Sequence, residues 1–135
     1  MRDILFRAKR WDNGEWVEGD LIKNLWGNFA IRPREIHNRD SYLDDPSIVL
    51  GTVGQYTGLN DKNGKKIFEG DIVTFDSGIS HKYIGVITYD RVFFVITVVG
   101  INGVMRDLSF MISEEKVEVI GNVHDNPELL KGEQQ

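Results

Sequence analysis

No cysteine occurs in the 135 residues. That removes disulfide cross-links, thiolate metal sites and a cysteine nucleophile from consideration, and it suits a reducing compartment. Long apolar runs are missing as well. The longest, Val92 to Ile101, is interrupted only by Thr97 and Gly100 and falls far short of the roughly 20 residues a membrane helix needs. The opening Met1-Arg2-Asp3-Ile4-Leu5-Phe6-Arg7 returns to charge too soon to hold the apolar centre of a signal peptide. These absences lead to the expectation of a soluble, cytoplasmic protein that engages no membrane.

An excess of positive charge is also lacking. The formal net charge is −5, and binding a phosphate backbone rests on Lys and Arg displacing counterions, so generic nucleic-acid affinity is disfavoured. The charge is uneven: residues 1–40 carry eight basic and seven acidic side chains, and residues 41–135 carry eight and fourteen. A local basic surface at Arg32, Arg34 and Arg39, with Tyr42 or Trp26 to stack bases, is the nucleic-acid alternative.

Catalytic and metal-binding patterns are sparse. His37, His81 and His124 are scattered along the chain without paired zinc-ligand spacing. The serines at 41, 47, 77, 80, 109 and 113 sit in no nucleophile elbow. The glycines match neither a Walker A loop nor a dinucleotide fingerprint. No cofactor and no metal site is expected, and the chain reads as a non-enzyme.

What the chain does have is a motif used twice. Asn13–Ile22 reads NGEWVEGDLI, and Asn63–Val73 reads NGKKIFEGDIV. Each copy pairs an Asn-Gly turn signal with a short β-prone run and then Glu-Gly-Asp before two aliphatics. Each is expected to be the second arm of a hairpin that bends at its glycine. The residues Gly19, Asp20, Gly64, Gly70 and Asp71 are thus assigned to a structural turn motif, in which Gly makes the bend and Asp hydrogen-bonds nearby backbone. The competing reading takes Glu18, Asp20, Glu69 and Asp71 as oxygen ligands of a cation in a small metal-dependent hydrolase.

The rest reads as a succession of strands. Ile4, Phe6 and Ala8 alternate with Leu5, Arg7 and Lys9. A two-residue turn at Asn13-Gly14 would set Trp11 opposite Trp16 and Lys9 opposite Glu18. It would also oppose Asp12 to Glu15, which leaves a longer loop as the alternative. One face then gathers Ile4, Phe6, Ala8, Val17 and Leu21 as core, with Trp11 and Trp16 on the other. Phe29-Ala30-Ile31 is a strand that stops near Pro33, and 34–46 is the longest loop. Residues 51–58 are expected to be bent by their glycines. Further strands are expected at 72–75, 86–89, 92–99, 104–110 and 117–123, the run from Val92 being covered on both faces. A helical turn capped by Ser113 should span 113–116. Asn126-Pro127-Glu128-Leu129-Leu130-Lys131-Gly132 carries the punctuation of a short helix, with Asn as N-cap, and 132–135 should fray. The fold class is mainly β: one domain over 1–131 of short antiparallel strands, an SH3-like barrel or related barrel or sandwich, with a short C-terminal helix.

The run Gly54–Val73 (GQYTGLNDKNGKKIFEGDIV), the opening Ile4-Leu5-Phe6-Arg7-Ala8 and the closing Val119–Leu130 (VIGNVHDNPELL) together resemble the YopX family of phage and prophage proteins. The resemblance covers nearly the whole chain. It implies a mostly-β domain encoded by phages or integrated elements of bacteria, hence a bacterial host cytoplasm, and it brings no reaction, cofactor or catalytic residue. With no catalytic constellation present, Trp11, Trp16 and Trp26, together with Arg32 and Arg34, are the candidate binding residues, because exposed aromatics commonly anchor interfaces. The expected role is a non-enzymatic module that binds a protein or a second copy of itself.

Overall fold

The computed structural model describes residues 4–34, 45–76, 82–90, 93–99, 105–113 and 116–131. Its strands are β1 (Phe6–Lys9), β2 (Trp16–Lys23), β3 (Phe29–Arg32), β4 (Gly54–Asn60), β5 (Lys66–Phe68), β6 (Asp71–Asp76), β7 (Lys82–Asp90), β8 (Phe93–Val98), β9 (Met105–Asp107) and β10 (Glu118–Asn122). Two short helices follow β9 and β10: α1 (Leu108–Ser113) and α2 (Glu128–Lys131). The strands form two antiparallel sheets, ordered β3-β2-β1-β4-β5 and β10-β6-β7-β8-β9. This is the mainly-β, sandwich- or barrel-like class expected, with its short C-terminal helix. The chain divides into two compact units, Met1–Tyr56 and Thr57–Gln135, and β4 runs across the division.

In the first unit, β1 pairs with the first half of β2 and β3 with the second half. The register is Phe6↔Gly19, Ala8↔Val17 and Lys9↔Trp16 on one side, and Asp20↔Arg32 through Lys23↔Phe29 on the other. The strand changes partner between Gly19 and Asp20. The short segment Pro46–Val49 then bonds both flanks of this meander. Trp11 N donates to Ser47 O at 2.8 Å and Val49 N to Lys9 O at 2.9 Å, while Ile31 N donates to Pro46 O and Ile48 N to Phe29 O, both at 3.2 Å. Ala8, Ile31 and Ile48 form the buried core here, with Phe6, Val17, Leu21 and Val53 packed against it.

The hairpin register differs from the two-residue expectation. Lys9 faces Trp16 and Arg7 faces Glu18, so the loop is longer, and the register sets neither Trp11 opposite Trp16 nor Lys9 opposite Glu18. Asp12 is turned to Arg10, which donates to it at 2.8 and 2.9 Å; this hydrogen bond lowers the Asp12 pKa from its usual value. Glu15 N is capped by Asn13 Oδ1 at 2.9 Å, and the like charges no longer oppose one another. A slip of two residues preserves which side chains share a face, whereas a slip of one would invert it. Phe6, Ala8, Val17 and Leu21 therefore still point to the core. Ile4 does not; it is exposed.

In the second unit, β8 lies between β7 and β9, and Phe94, Val95, Ile96 and Val98 are all buried. Consecutive burial on both pleats is what the unbroken apolar run demanded. Ile67, Val73, Phe75, Ile87, Leu108, Met111 and Val117 complete the core. The expected strand over 104–110 is cut short. Asp107 Oδ1 accepts from Phe110 N at 3.2 Å, which starts α1, and Leu108 and Met111, three residues apart, bury the same helical face. Ser113 is the last residue of α1, and the expected turn over 113–116 lies partly outside the described residues. The expected bend over 51–58 is present at its start, where Leu50–Thr52 makes a single 3₁₀ turn; from Gly54 the chain is strand, with Gly58 at positive φ. Asn126 does precede α2, but its Oδ1 accepts from Asn122 N rather than capping the helix. Most of the expected 34–46 loop, the 101–103 turn and the 132–135 tail lie outside the described residues.

The repeated Glu-Gly-Asp motif is not repeated in space. Gly19 lies inside continuous β2, where a Cβ would collide with the Arg32 carbonyl oxygen and come within 2.9 Å of Pro33 Cα. Gly70 lies in the turn between β5 and β6 with φ +92°, and a Cβ there would meet only ordinary contacts, the nearest at 3.8 Å. One glycine is required by space and the other by backbone conformation. Gly70→Ala is expected to destabilise by about 1–2 kcal/mol, the left-handed cost, with Gly70→Asn milder. Gly19→Ala should cost more than Gly70→Ala because backbone must move. Urea unfolding of the three variants checks this ordering; Gly19→Ala at or above Gly70→Ala in stability would refute it.

Candidate functional site

Several exposed apolar side chains of the first unit lie on, or on segments hydrogen-bonded to, Pro46–Leu50. Trp11 follows β1 and is 75% exposed; Leu25 and Trp26 on the β2–β3 turn are 80% and 74% exposed; Leu50 is 58% exposed. A shallow groove of about 400 Å³ runs between Trp11, Asn28, Phe29, Ser47, Ile48 and Leu50. Trp11 borders it because its backbone N–H is bonded to Ser47 O. The β2–β3 turn borders it because Asn24 Nδ2 donates to Ser47 Oγ at 3.3 Å. Lys23 holds its ammonium 5.2 Å from the centre of the Phe29 ring.

The turn that carries Leu25 and Trp26 is fixed from within. Asn24 Oδ1 accepts from both Trp26 N and Asn28 N at 3.0 Å, Asn24 N donates to Asn28 O at 2.8 Å, and Gly27 N donates to Asn24 O at 3.0 Å. Both ends of the turn are thus satisfied by one asparagine. The two apolar side chains between them project into solvent from a turn closed by its own hydrogen bonds. The sequence Asn-Leu-Trp-Gly-Asn carried that signal, two large apolar residues framed by turn formers, though only Trp26 was singled out; Leu25, Phe29 and Leu50 were missed.

Of the other candidates, Trp16 is half-buried, with the Arg7 guanidinium 4.8 Å and the Lys9 ammonium 5.5 Å from its ring centre. It is a cation–π platform within the fold rather than an open aromatic. Arg32 pairs with the buried Asp45 at 3.2 Å. Arg34 donates to Asp20 at 2.8 Å and also to the Ile4 carbonyl. Both arginines are engaged with acids, which weakens the basic-surface reading. Arg39 and Tyr42 lie outside the described residues, as do His37 and His81, and His124 is exposed. The aspartates of the two Glu-Gly-Asp motifs are used structurally: Asp20 holds Arg34, and Asp71, 1% exposed, accepts from Phe68 N at 2.8 Å. Among the described residues no three His, Cys, Asp or Glu side chains gather to hold a metal. No described helix is long and apolar enough to cross a membrane.

Asp61 is a buried carboxylate that sequence reading did not single out. It opens the β4–β5 turn at whose tip Gly64 has φ +83°. Its Oδ1 accepts from Asn63 N and Lys65 N, and its Oδ2 from Val119 N in β10, all at 2.9 Å. Burial works against its charge, but the amides of Val119, Lys65 and Asn63 prevail and hold its pKa below the ordinary value of 3.8. The groove of about 470 Å³ that it lines with Asn60, Lys62, Asn63, Ile112 and Val117 is therefore built around a satisfied structural anion.

A mainly-β protein with exposed aromatic side chains, and with the buried Asp61 and Asp71 committed to backbone amides, is the class these observations define. The chain belongs to the YopX protein family, whose family model matches residues 5–131. It is similar to the crystal structure of protein EF1440 from Enterococcus faecalis, at 26% sequence identity over 96% of this chain and 99% of that one, with a TM-score of 0.60. No curated protein matches the chain.

Asp61→Ala leaves buried amides without an acceptor and should cost about 2–3 kcal/mol, with Asp61→Asn costing less. Because the folded pKa is depressed, the Asp61 contribution is fully present above the unfolded carboxyl value near 4 and is lost as pH falls through the lower folded value. Urea midpoints measured between pH 7 and pH 2 should fall less steeply for Asp61→Asn than for the parent; parallel curves would refute the assignment.

Proposed function

We propose that this chain is a non-enzymatic protein-binding module of phage or prophage origin, working in the bacterial cytoplasm and docking through the surface of Trp11, Leu25, Trp26 and Leu50. The observation that carries this reading is the exposure of Leu25 and Trp26 on a hydrogen-bonded turn whose Asn28 lines the neighbouring groove. Soluble proteins rarely leave large contiguous apolar patches uncovered except at interaction sites. Trp is among the residues most often found at energetic hot spots. The family membership supports the phage setting, and the commitment of Asp61 and Asp71 to backbone amides supports a role without catalysis.

The nucleic-acid reading has less behind it, since Arg32 and Arg34 are ion-paired with Asp45 and Asp20. A Trp11→Ser/Trp26→Ser double variant separates these possibilities. Exposed as they are, the two side chains should change folding stability by no more than about 0.5 kcal/mol each. Complex formation with a protein, read by cross-linking in bacterial lysate and by sedimentation of the purified chain, should be lost. Undiminished complex formation, or a gel shift with DNA or RNA that weakens with salt and survives the double substitution, would refute the proposal.

A further inference from the structure

We infer that the partner seated on this surface is a second copy of the chain, each copy placing its Leu25-Trp26 turn in the groove of the other; this rests on the binding role proposed above. The surface carries a projection and a recess side by side. Leu25 and Trp26 stand 80% and 74% exposed on a turn whose own Asn28 lines the groove. A two-fold axis passing between projection and recess brings each projection onto the other copy's recess, which is the self-complementarity an isologous dimer requires. A surface evolved for a flat or a purely convex partner needs only one of the two shapes.

The exposed apolar area fits this occupant, and the groove itself carries no charge. Trp11 and Trp26 together expose on the order of 300 Å² of apolar surface, and Leu25, Phe29, Leu50 and the groove add to it, approaching the ~800 Å² that each side of a standard interface buries. The six groove residues include no ionisable group. The net charge of −5 on each copy opposes association at long range, so no electrostatic attraction sets the affinity. An apolar contact between two chains of like charge must tighten as salt screens their repulsion. A contact with nucleic acid would loosen under the same change.

The test is sedimentation equilibrium of the purified full chain, of a projection variant (Leu25→Asp/Trp26→Ser), of a groove variant (Leu50→Lys) and of an equimolar mixture of the two. The wild type should dimerise more tightly at high salt. Each variant alone should dimerise at least about tenfold more weakly, as removal of interface hot spots does. The mixture should recover part of the loss, because one intact projection then meets one intact groove. Circular dichroism melts of both variants establish that they fold. A wild type that stays monomeric at concentrations up to about 0.2 mM, or a mixture no tighter than its components, overturns the second-copy inference. The binding role itself is judged on Trp11→Ser/Trp26→Ser, by cross-linked complexes in lysate that stay unchanged or by a surviving gel shift, so the two failures are told apart.

Discussion

Amide groups at the ends of short strands have no ladder partner, and satisfying them is the constraint on which both units depend. The ten strands among the described residues, three to nine residues long, expose many such ends, and a buried N–H without an acceptor costs as much as a lost hydrogen bond. The chain meets the demand with side-chain oxygens placed one turn away. Asp61 collects the amides of Asn63, Lys65 and Val119, tying the β4–β5 turn to β10. Asp71 takes Phe68 N, closing the turn into β6. Asn24 takes Trp26 N and Asn28 N. In the first unit Pro46–Val49 does the same with backbone alone, bonding to β1 and β3 at once.

This explains how much of the fold was legible in the residues. Hydrophobic alternation placed Phe6, Ala8, Val17 and Leu21 on one face correctly, because face depends on parity and survives an even slip of register. The register itself was not legible. It was set by Arg10 holding Asp12 and Asn13 capping Glu15, local polar contacts that pairing arguments across the hairpin do not weigh. The unbroken run from Val92 announced a covered strand. The switch from β9 to α1 is not legible because a helix of six residues is too short to establish a period.

The candidate site was half legible. Trp11 and Trp26 stood out by residue type, and they are the open ones. Trp16, equally conspicuous in composition, is folded under Arg7 and Lys9, a difference that depends on register. The groove depends on Ser47, Ile48 and Leu50 arriving from a distant segment, which no local pattern in the sequence encodes. The doubled Glu-Gly-Asp motif taught the reverse lesson, since identical letters answered a steric demand at Gly19 and a conformational one at Gly70.

The Asn24 turn has a consequence for how this surface can diversify. Its hydrogen bonds use the side chain of residue 24 and the main chain of residues 26–28, so nothing in the scaffold consults the side chains at 25 and 26. Those two positions can be exchanged while the backbone that presents them stays still. Because the main chain is already ordered, a new pair there forfeits little entropy on contact. Related chains could therefore alter what they recognise by rewriting two adjacent codons, with the sheet behind them untouched.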